Sequence, residues 1–294
     1  MMISDADPSQ FKYSIRPTVS SLLWAAWLHI PRWLRLKAYK TLERYSCSTV
    51  DLGYTTVKLP FGLYAKRGRR ATVNEALVTH YVSLHTTIPV PNVLDVLSDK
   101  DGAYFLMTRL PGHEIADMPR TLNEYSDQEM DVFVATVGGW LEQLRALGPS
   151  PYGNSVCGFT GGPLTSYRIK HDEFVGPFAS QDEFHAEWYN TLPDEADPDI
   201  RALATRLRNQ KRYRICLTHG DISPNNILVD DHYKPVGFID WGCAAWMPEY
   251  WELTYALYRR QRYHGWVKAF TRALPQYHDE VVVEMEQWNY IYPW

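Results

Sequence analysis

The sequence lacks the signatures of several common classes of protein. Its four cysteines are scattered over 294 residues with no CxxC pair, unlike those of disulfide-rich secreted domains or zinc ribbons. No two histidines have the spacing of a zinc-protease helix, and no GxSxG segment indicates a serine hydrolase. The longest apolar run, residues 21–30, is about half a membrane span, and the first residues lack the basic start of a signal peptide. These absences predict a cytoplasmic protein without a transmembrane segment.

The charge of the chain is small overall but unevenly distributed. The formal net charge is −4, which is too small to favour a nucleic-acid-binding protein. Residues 1–70 carry 12 Lys and Arg against 4 Asp and Glu, whereas residues 71–294 carry 18 against 30. We therefore expect two regions with different functions, and the acidic one favours a cationic small-molecule partner.

The order of the predicted elements indicates an α+β protein with two lobes. Residues 1–18 are polar and predict a flexible tail, and residues 19–45 predict two helices divided by Pro31. Residues 46–110 predict a small lobe with an antiparallel sheet. Residues 111–294 are mostly helical in pattern and predict a larger lobe.

Apolar spacing and turn residues define the individual predicted elements. The small lobe is predicted to contain five strands, at 48–52, 55–60, 62–66, 93–97 and 104–108, and one helix at 72–85. The large lobe is predicted to contain helices at 126–147, 181–191 and 198–210, the first with the capping box Ser126-Asp-Gln-Glu129, and strands only at 215–218, 227–229 and 236–239. The basic residues of the second N-terminal helix favour a solvated face, with a membrane-surface helix as the alternative: Arg32, Arg35, Lys37, Lys40 and Arg44.

The strongest functional signal is a string of residues from 217 to 228, LTHGDISPNNIL, followed by an Asp-Trp-Gly turn. A short strand would present Asp221 on a loop, with Asn226 five residues later and Asp240 on a second hairpin. Phosphoryl transfer needs one carboxylate that accepts the proton of the attacking hydroxyl, and it needs oxygen ligands for Mg²⁺. The pattern therefore predicts Asp221 as the catalytic proton acceptor and Asn226 and Asp240 as the metal ligands.

The same string parallels the H-R-D-x-x-x-x-N and D-F-G motifs of protein kinases. Gly220 stands in place of the Arg, and Trp241 stands in place of the Phe. Ser223 occupies the position, two residues after the Asp, at which protein kinases often carry a basic residue.

These residues resemble the aminoglycoside phosphotransferase/choline kinase-like family, which has a protein-kinase-like fold and whose H-G-D-x-x-x-x-N and I-D motifs they match. The segments IPVP at 88–91, PG at 111–112 and PEYWE at 248–252 resemble the version of the family common in filamentous fungi. The resemblance implies an ATP-dependent phosphotransferase that acts on a hydroxyl of a small molecule, with Mg²⁺ as cofactor. It also implies that His219 orders the catalytic loop rather than acting as the base.

The resemblance further implies a nucleotide-binding pair, Lys66 at the end of a strand and Glu75 on the following helix. Lys58, one strand earlier, is the alternative lysine. Two simpler interpretations compete, because Lys66 begins a basic run that suits a solvated turn, and Thr72 forms a capping box with Glu75. A Gly-rich phosphate loop is lacking, since only Gly53 lies between the first two predicted strands, which leaves GTP as an alternative to ATP.

The sequence disfavours two alternatives to a small-molecule kinase. A catalytically silent pseudokinase, acting as a nucleotide-binding or scaffold module, is disfavoured because the predicted base and both metal ligands are present. A protein kinase is disfavoured because no Ala-Pro-Glu segment follows Asp240 at the distance of an activation loop.

The acceptor stays open among an aminoglycoside, a choline-like amine, a sugar and another metabolite. Candidate substrate contacts are Trp246, Glu249 and Glu252. Aromatic residues near the catalytic hairpin predict either a stacking wall for a cation or part of the core: Trp241, Trp246, Tyr250 and Trp251.

Overall fold

The computed structural model describes residues 19–45, 56–68, 73–99, 102–189, 192–260 and 262–291. The predicted tail at 1–18 and the first predicted strand at 48–52 lie outside these residues. Contacts divide the chain into two compact units, of which the first comprises Met1–His85 and Val90–Leu110 and the second comprises Thr86–Pro89 and Pro111–Trp294.

The secondary structure is mixed, as expected of an α+β protein. The described helices are α1 (Val19–Leu28), α2 (Arg32–Tyr45), α3 (Val73–His85), α4 (Asp127–Ala146), α5 (Gln181–Tyr189), α6 (Pro198–Gln210), α7 (Trp251–Leu257), α8 (His264–Ala273) and α9 (His278–Ile291). The described strands are β1 (Thr56–Leu59), β2 (Leu63–Gly68), β3 (Val93–Asp99), β4 (Gly102–Thr108), β5 (His113–Glu114), β6 (Cys157–Gly158), β7 (Leu164–Ser166), β8 (Lys170–Val175), β9 (Ile215–Thr218), β10 (Ile227–Val229), β11 (Pro235–Phe238) and β12 (Ala245–Pro248).

The first unit contains an antiparallel sheet in the order β1-β2-β4-β3, with α3 packed against β3. In β1 the side chains of Val57 and Leu59 are buried and their neighbours are exposed, which is the alternation of a sheet with one face on the core. A tight turn joins β1 to β2, and it includes Gly62 at a φ of 71°, a conformation that favours glycine. The sequence predicted each of these strands to within a few residues.

The two N-terminal helices, divided at Pro31 as predicted, are tied to this sheet by a chain of polar contacts that runs from the partly buried Trp27 to buried side chains. Trp27 donates from Nε1 to the Tyr39 hydroxyl at 2.6 Å, and that hydroxyl donates to Asp95 on β3 at 2.8 Å. Arg35 forms an ion pair with the same carboxylate and is itself buried. The prediction of a solvated basic face on α2 is therefore wrong for Arg35, because this side chain is buried. Its partner, Asp95, lies far away in the sequence, where a local pattern does not reveal it.

The second unit contains most of the helices and several short sheets. Helix α4 begins with the predicted capping box, in which the Ser126 hydroxyl accepts from the main-chain N–H of Glu129 and the Glu129 carboxylate accepts from that of Ser126. The three predicted strands are present as β9, β10 and β11.

The prediction that these are the only strands of this region is wrong. Strand β12 pairs with β9 and β6, β5 pairs with β10, and β7 pairs with β8. Four of the five additional strands have only two to four residues, and three of the five pair with segments distant in the chain, so that local periodicity carries little signal for them.

Among the described helices, none has the length and apolar character needed to cross a membrane.

Candidate active site

The catalytic loop, residues 219–226, follows the fully buried strand β9 and packs closely against the turn at 241–243. Gly220 has a φ of 77°, in the left-handed region that favours glycine. A β-carbon at Gly220 would collide with the main-chain carbonyl of Cys243. Conformation and close approach together therefore require glycine at the position where protein kinases carry Arg.

The hydrogen bonds of His219 define which of its ring nitrogens carries a proton. Its Nε2 lies 2.9 Å from the main-chain oxygen of Ile239, and because a carbonyl oxygen only accepts, Nε2 must donate. Its Nδ1 then accepts from the main-chain N–H of Asp221 at 3.3 Å. Both nitrogens of this buried ring hold the loop, which supports the predicted ordering role and argues against His219 as the base.

Asn226 contacts Asp221 through its side-chain amide. Its Nδ2 lies 2.7 Å from the main-chain oxygen of Asp221 and 3.0 Å from Oδ2 of the Asp221 carboxylate. The main-chain oxygen accepts only an N–H, so the NH₂ group faces Asp221 and Oδ1 of Asn226 faces away from it. This orientation leaves an oxygen of the amide available to a cation.

The hairpin of β10 and β11 brings Asp240 to the same place. Ile227 pairs with Phe238, and the main-chain N–H of Ile239 donates to the main-chain oxygen of Asn226 at 3.1 Å. Asp240 follows directly, with a φ of 63° that is uncommon outside glycine and often occurs at functional sites. One carboxylate and one amide oxygen are ligands that Mg²⁺ accepts, so the residues present fit this cation.

The Asp221 carboxylate lies in a strongly charged environment. Burial raises its pKa to about 6, and the nearby Asp240 carboxylate acts in the same direction. The nearby Tyr255 hydroxyl, the positive charge of Arg260 and the hydrogen bond from Asn226 act in the opposite direction. The structure thus brings together the three residues that the sequence predicted and adds Tyr255 and Arg260, which the sequence analysis missed.

Glu252, at the start of α7, holds the backbone of the catalytic loop. Its two carboxylate oxygens accept hydrogen bonds from the main-chain N–H groups of His219, at 2.6 Å, and Gly220, at 3.1 Å. Burial raises the pKa of Glu252 to about 7, while these two hydrogen bonds act to lower it. The only sequence signal for this residue is its position in the PEYWE segment.

The residues predicted to contact substrate are engaged within the protein. Glu252 and Trp246 are each 3% exposed, and Trp246 donates from Nε1 to the main-chain oxygen of Phe159. Glu249 pairs with Arg214. Trp241, Tyr250 and Trp251 are likewise buried in the core. Burial leaves Trp246 and Glu252 little surface that a substrate would touch.

In the first unit, Lys66 on β2 and Glu75 on α3 form the ion pair that the resemblance implied. Their Nζ and Oε1 atoms lie 2.7 Å apart, and the two side chains are 8% and 4% exposed. This burial excludes the interpretation of Lys66 as part of a solvated turn. The alternative lysine, Lys58 on β1, is exposed. Thr72, the other member of the proposed capping box, lies outside the described residues. The binding of nucleotide by Lys66 and Glu75 stays a prediction.

A family model described as the phosphotransferase enzyme family, APH, matches residues 57–281. The chain belongs to this family. The match includes both the catalytic loop and the Lys66–Glu75 pair, and it starts after α1 and α2. No curated protein matches the chain by sequence.

Solved structures of similar fold include other phosphotransferases. A thermostable mutant of aminoglycoside phosphotransferase APH(4)-Ia, in its apo form, is 16% identical with a TM-score of 0.51, and the match covers 79% of each chain. Macrolide 2'-phosphotransferase type I is 14% identical with a TM-score of 0.49, over 81% of this chain and 79% of that one. Choline kinase LicA from Streptococcus pneumoniae is 10% identical with a TM-score of 0.43, over 84% and 82%. The similarity to the first structure shows the protein-kinase-like fold.

Proposed function

We propose that this protein transfers the γ-phosphate of ATP to a hydroxyl group of a small molecule. The observation that carries the proposal is that Asp221 and Asn226, on a loop whose backbone is held by His219 and Glu252, lie close to Asp240 just after β11. Membership of the phosphotransferase family supports the reaction type. Phosphoryl transfer depends mainly on positioning and on neutralising charge, and a fixed loop with a carboxylate and an amide beside a second carboxylate suits both needs.

In the proposed reaction Asp221 accepts the proton of the acceptor hydroxyl as its oxygen attacks the γ-phosphorus. The new O–P bond forms while the bond from the γ-phosphorus to the bridging oxygen breaks, and ADP leaves with that oxygen. Asn226 and Asp240 would hold Mg²⁺, which when bound would neutralise charge on the phosphate oxygens. Lys66, positioned by Glu75, would bind phosphate oxygens of the nucleotide.

We propose a hydroxylated amine as the first acceptor class to test. Residues 71–294 carry 18 Lys and Arg against 30 Asp and Glu, and this excess of negative charge favours a cationic molecule. We also propose a cytoplasmic location, in keeping with the free thiols of Cys157 and Cys216.

The test is a screen of ATP consumption in the presence of Mg²⁺ over aminoglycosides, choline-like amines and uncharged sugars of matched size. With the best acceptor, Asp221→Asn should lower kcat by about 10²–10⁴-fold, the usual contribution of a general base. Asp231→Asn is the matched control, because Asp231 lies in the turn between β10 and β11, which follow the loop, and its side chain is 88% exposed. Equal turnover by Asp221→Asn and the parent would refute the role of Asp221. Nucleotide binding without turnover of any acceptor or of water would favour the pseudokinase instead.

A further inference from the structure

Helix α7 presents two buried side chains to the catalytic loop. Glu252 and Tyr255 are three residues apart, so they lie on the same face of the helix. Glu252 binds the main-chain N–H groups of residues 219 and 220, as described above. The side chain of Tyr255, a residue only 4% exposed, lies near the carboxylate of the next loop residue, Asp221, and acts to lower the pKa of that carboxylate. One helix face therefore contacts three consecutive residues of the loop.

Arg260 approaches the same carboxylate from the segment that follows α7. Its guanidinium is half-buried and close enough to Asp221 for an electrostatic attraction. The main-chain oxygen of Tyr258 accepts a hydrogen bond from its Nη1 at 3.2 Å, which holds the side chain in place. The loop itself offers no cation two residues after Asp221, since Ser223 stands there. Arg260 thus brings to Asp221 a positive charge that the loop sequence does not supply.

We propose that Tyr255 and Arg260 are positioning residues that hold the Asp221 carboxylate in the orientation for accepting the acceptor proton. The proposal rests on the proposed function. Asp240 lies near Asp221 and repels it, and Asn226 binds one oxygen of the Asp221 carboxylate, Oδ2. The hydroxyl of Tyr255, on α7, and the guanidinium of Arg260, just after α7, restrain the Asp221 carboxylate against that repulsion. A small displacement of a catalytic group is enough to lower a rate by about 10²-fold.

The test is a double-mutant cycle between Tyr255→Phe and Asp221→Asn. The readout is ATP turnover with the best acceptor of the screen, or phosphate release from Mg-ATP with water as acceptor where no other is found. Tyr255→Phe should lower kcat by roughly 10–100-fold and leave the KM for ATP within about twofold of the parent. In the Asp221→Asn background the same change should have little further effect, because Tyr255 acts through Asp221. Tyr258→Phe, which removes a hydroxyl from the same segment, is the matched control.

A second pair of variants makes the test independent of how well Tyr255→Phe folds. Arg260→Lys should keep most of the turnover because it keeps the charge, and Arg260→Met should lose about as much as Tyr255→Phe. Turnover by Tyr255→Phe and Arg260→Met equal to that of the parent would overturn the proposal, as would losses that multiply with that of Asp221→Asn. Failure of the proposed function is distinguishable, because it would appear either as full turnover by Asp221→Asn alone or as no turnover by the parent, and either result would overturn the positioning role as well.

Discussion

Two ion pairs of the first unit are equally buried but differ in what surrounds them. The side chains of Arg35 and Asp95 are 8% and 4% exposed, the same values as those of Lys66 and Glu75. Arg35 also donates from Nε to the main-chain oxygen of Ile30 at 3.0 Å, and Asp95 also accepts from Tyr39. The first pair thus belongs to a network that joins α2 to β3 through an arginine, and the second pair joins β2 to α3 through a lysine.

The difference shows that burial alone does not reveal the role of an ion pair. The planar guanidinium of an arginine can donate to several fixed acceptors at once. The ammonium of a lysine is a compact charge on a flexible aliphatic chain, so it can exchange a carboxylate partner for a phosphate oxygen. Lys66 and Glu75 both lie within the family match at 57–281, and Arg35 precedes it. We therefore interpret the Arg35–Asp95 pair as the attachment of the N-terminal helices, and we propose that the Lys66–Glu75 pair binds the nucleotide.

The largest expected effect is the loss of stability in Asp95→Ala. The change leaves the Arg35 charge buried without its carboxylate and removes the acceptor of the Tyr39 hydroxyl. Removal of one member of a buried ion pair typically costs about 3–5 kcal/mol, which urea unfolding would measure. Asp131→Ala is the control, because the Asp131–Arg272 pair is exposed and such pairs contribute about 0–1 kcal/mol. Equal losses in the two variants would contradict the assignment.

A second prediction compares neutral replacements of both pairs. In Lys66→Met/Glu75→Gln no buried charge is left without a partner, so the protein should keep its thermal stability. Its affinity for Mg-ATP should fall by about 10–100-fold, which corresponds to the roughly 1.5–3 kcal/mol of a hydrogen bond to a charged group. Calorimetric titration with Mg-ATP would measure the change.

Two controls sharpen this comparison. Arg35→Met/Asp95→Asn removes the other pair and should bind Mg-ATP like the parent. Lys58→Met removes the exposed alternative lysine and should also have no effect. If Lys58→Met weakens binding and the Lys66 double variant does not, the nucleotide lysine has been placed on the wrong strand.

The residues of the catalytic motif and most of the helices and strands could be predicted because their signals are local. The spacing of His219, Asp221 and Asn226 lies within eight residues, and the capping box at Ser126 lies within four. The contacts that fix these residues come from elsewhere in the chain. The hydrogen bond from the main-chain N–H of His219 to Glu252 spans 33 residues, and the contact of Tyr39 with Asp95 spans 56. No periodicity in the sequence reports such pairings, so local patterns do not reveal the contact of Glu252 with the loop backbone or the burial of Arg35.

The last prediction concerns a third buried carboxylate, that of Glu252, which two main-chain N–H groups hold. Burial raises its pKa from 4.5 to about 7. Between these values the folded protein holds a proton that the unfolded chain has released, so stability should fall as the pH rises through this window. The slope is at most about 1.4 kcal/mol per pH unit, and it should end above about pH 7. Urea unfolding at several pH values would show a flatter profile for Glu252→Gln and an unchanged one for the exposed control Glu142→Gln. A parent-like slope in Glu252→Gln would mean that this carboxylate stays charged throughout the window and that the prediction is wrong.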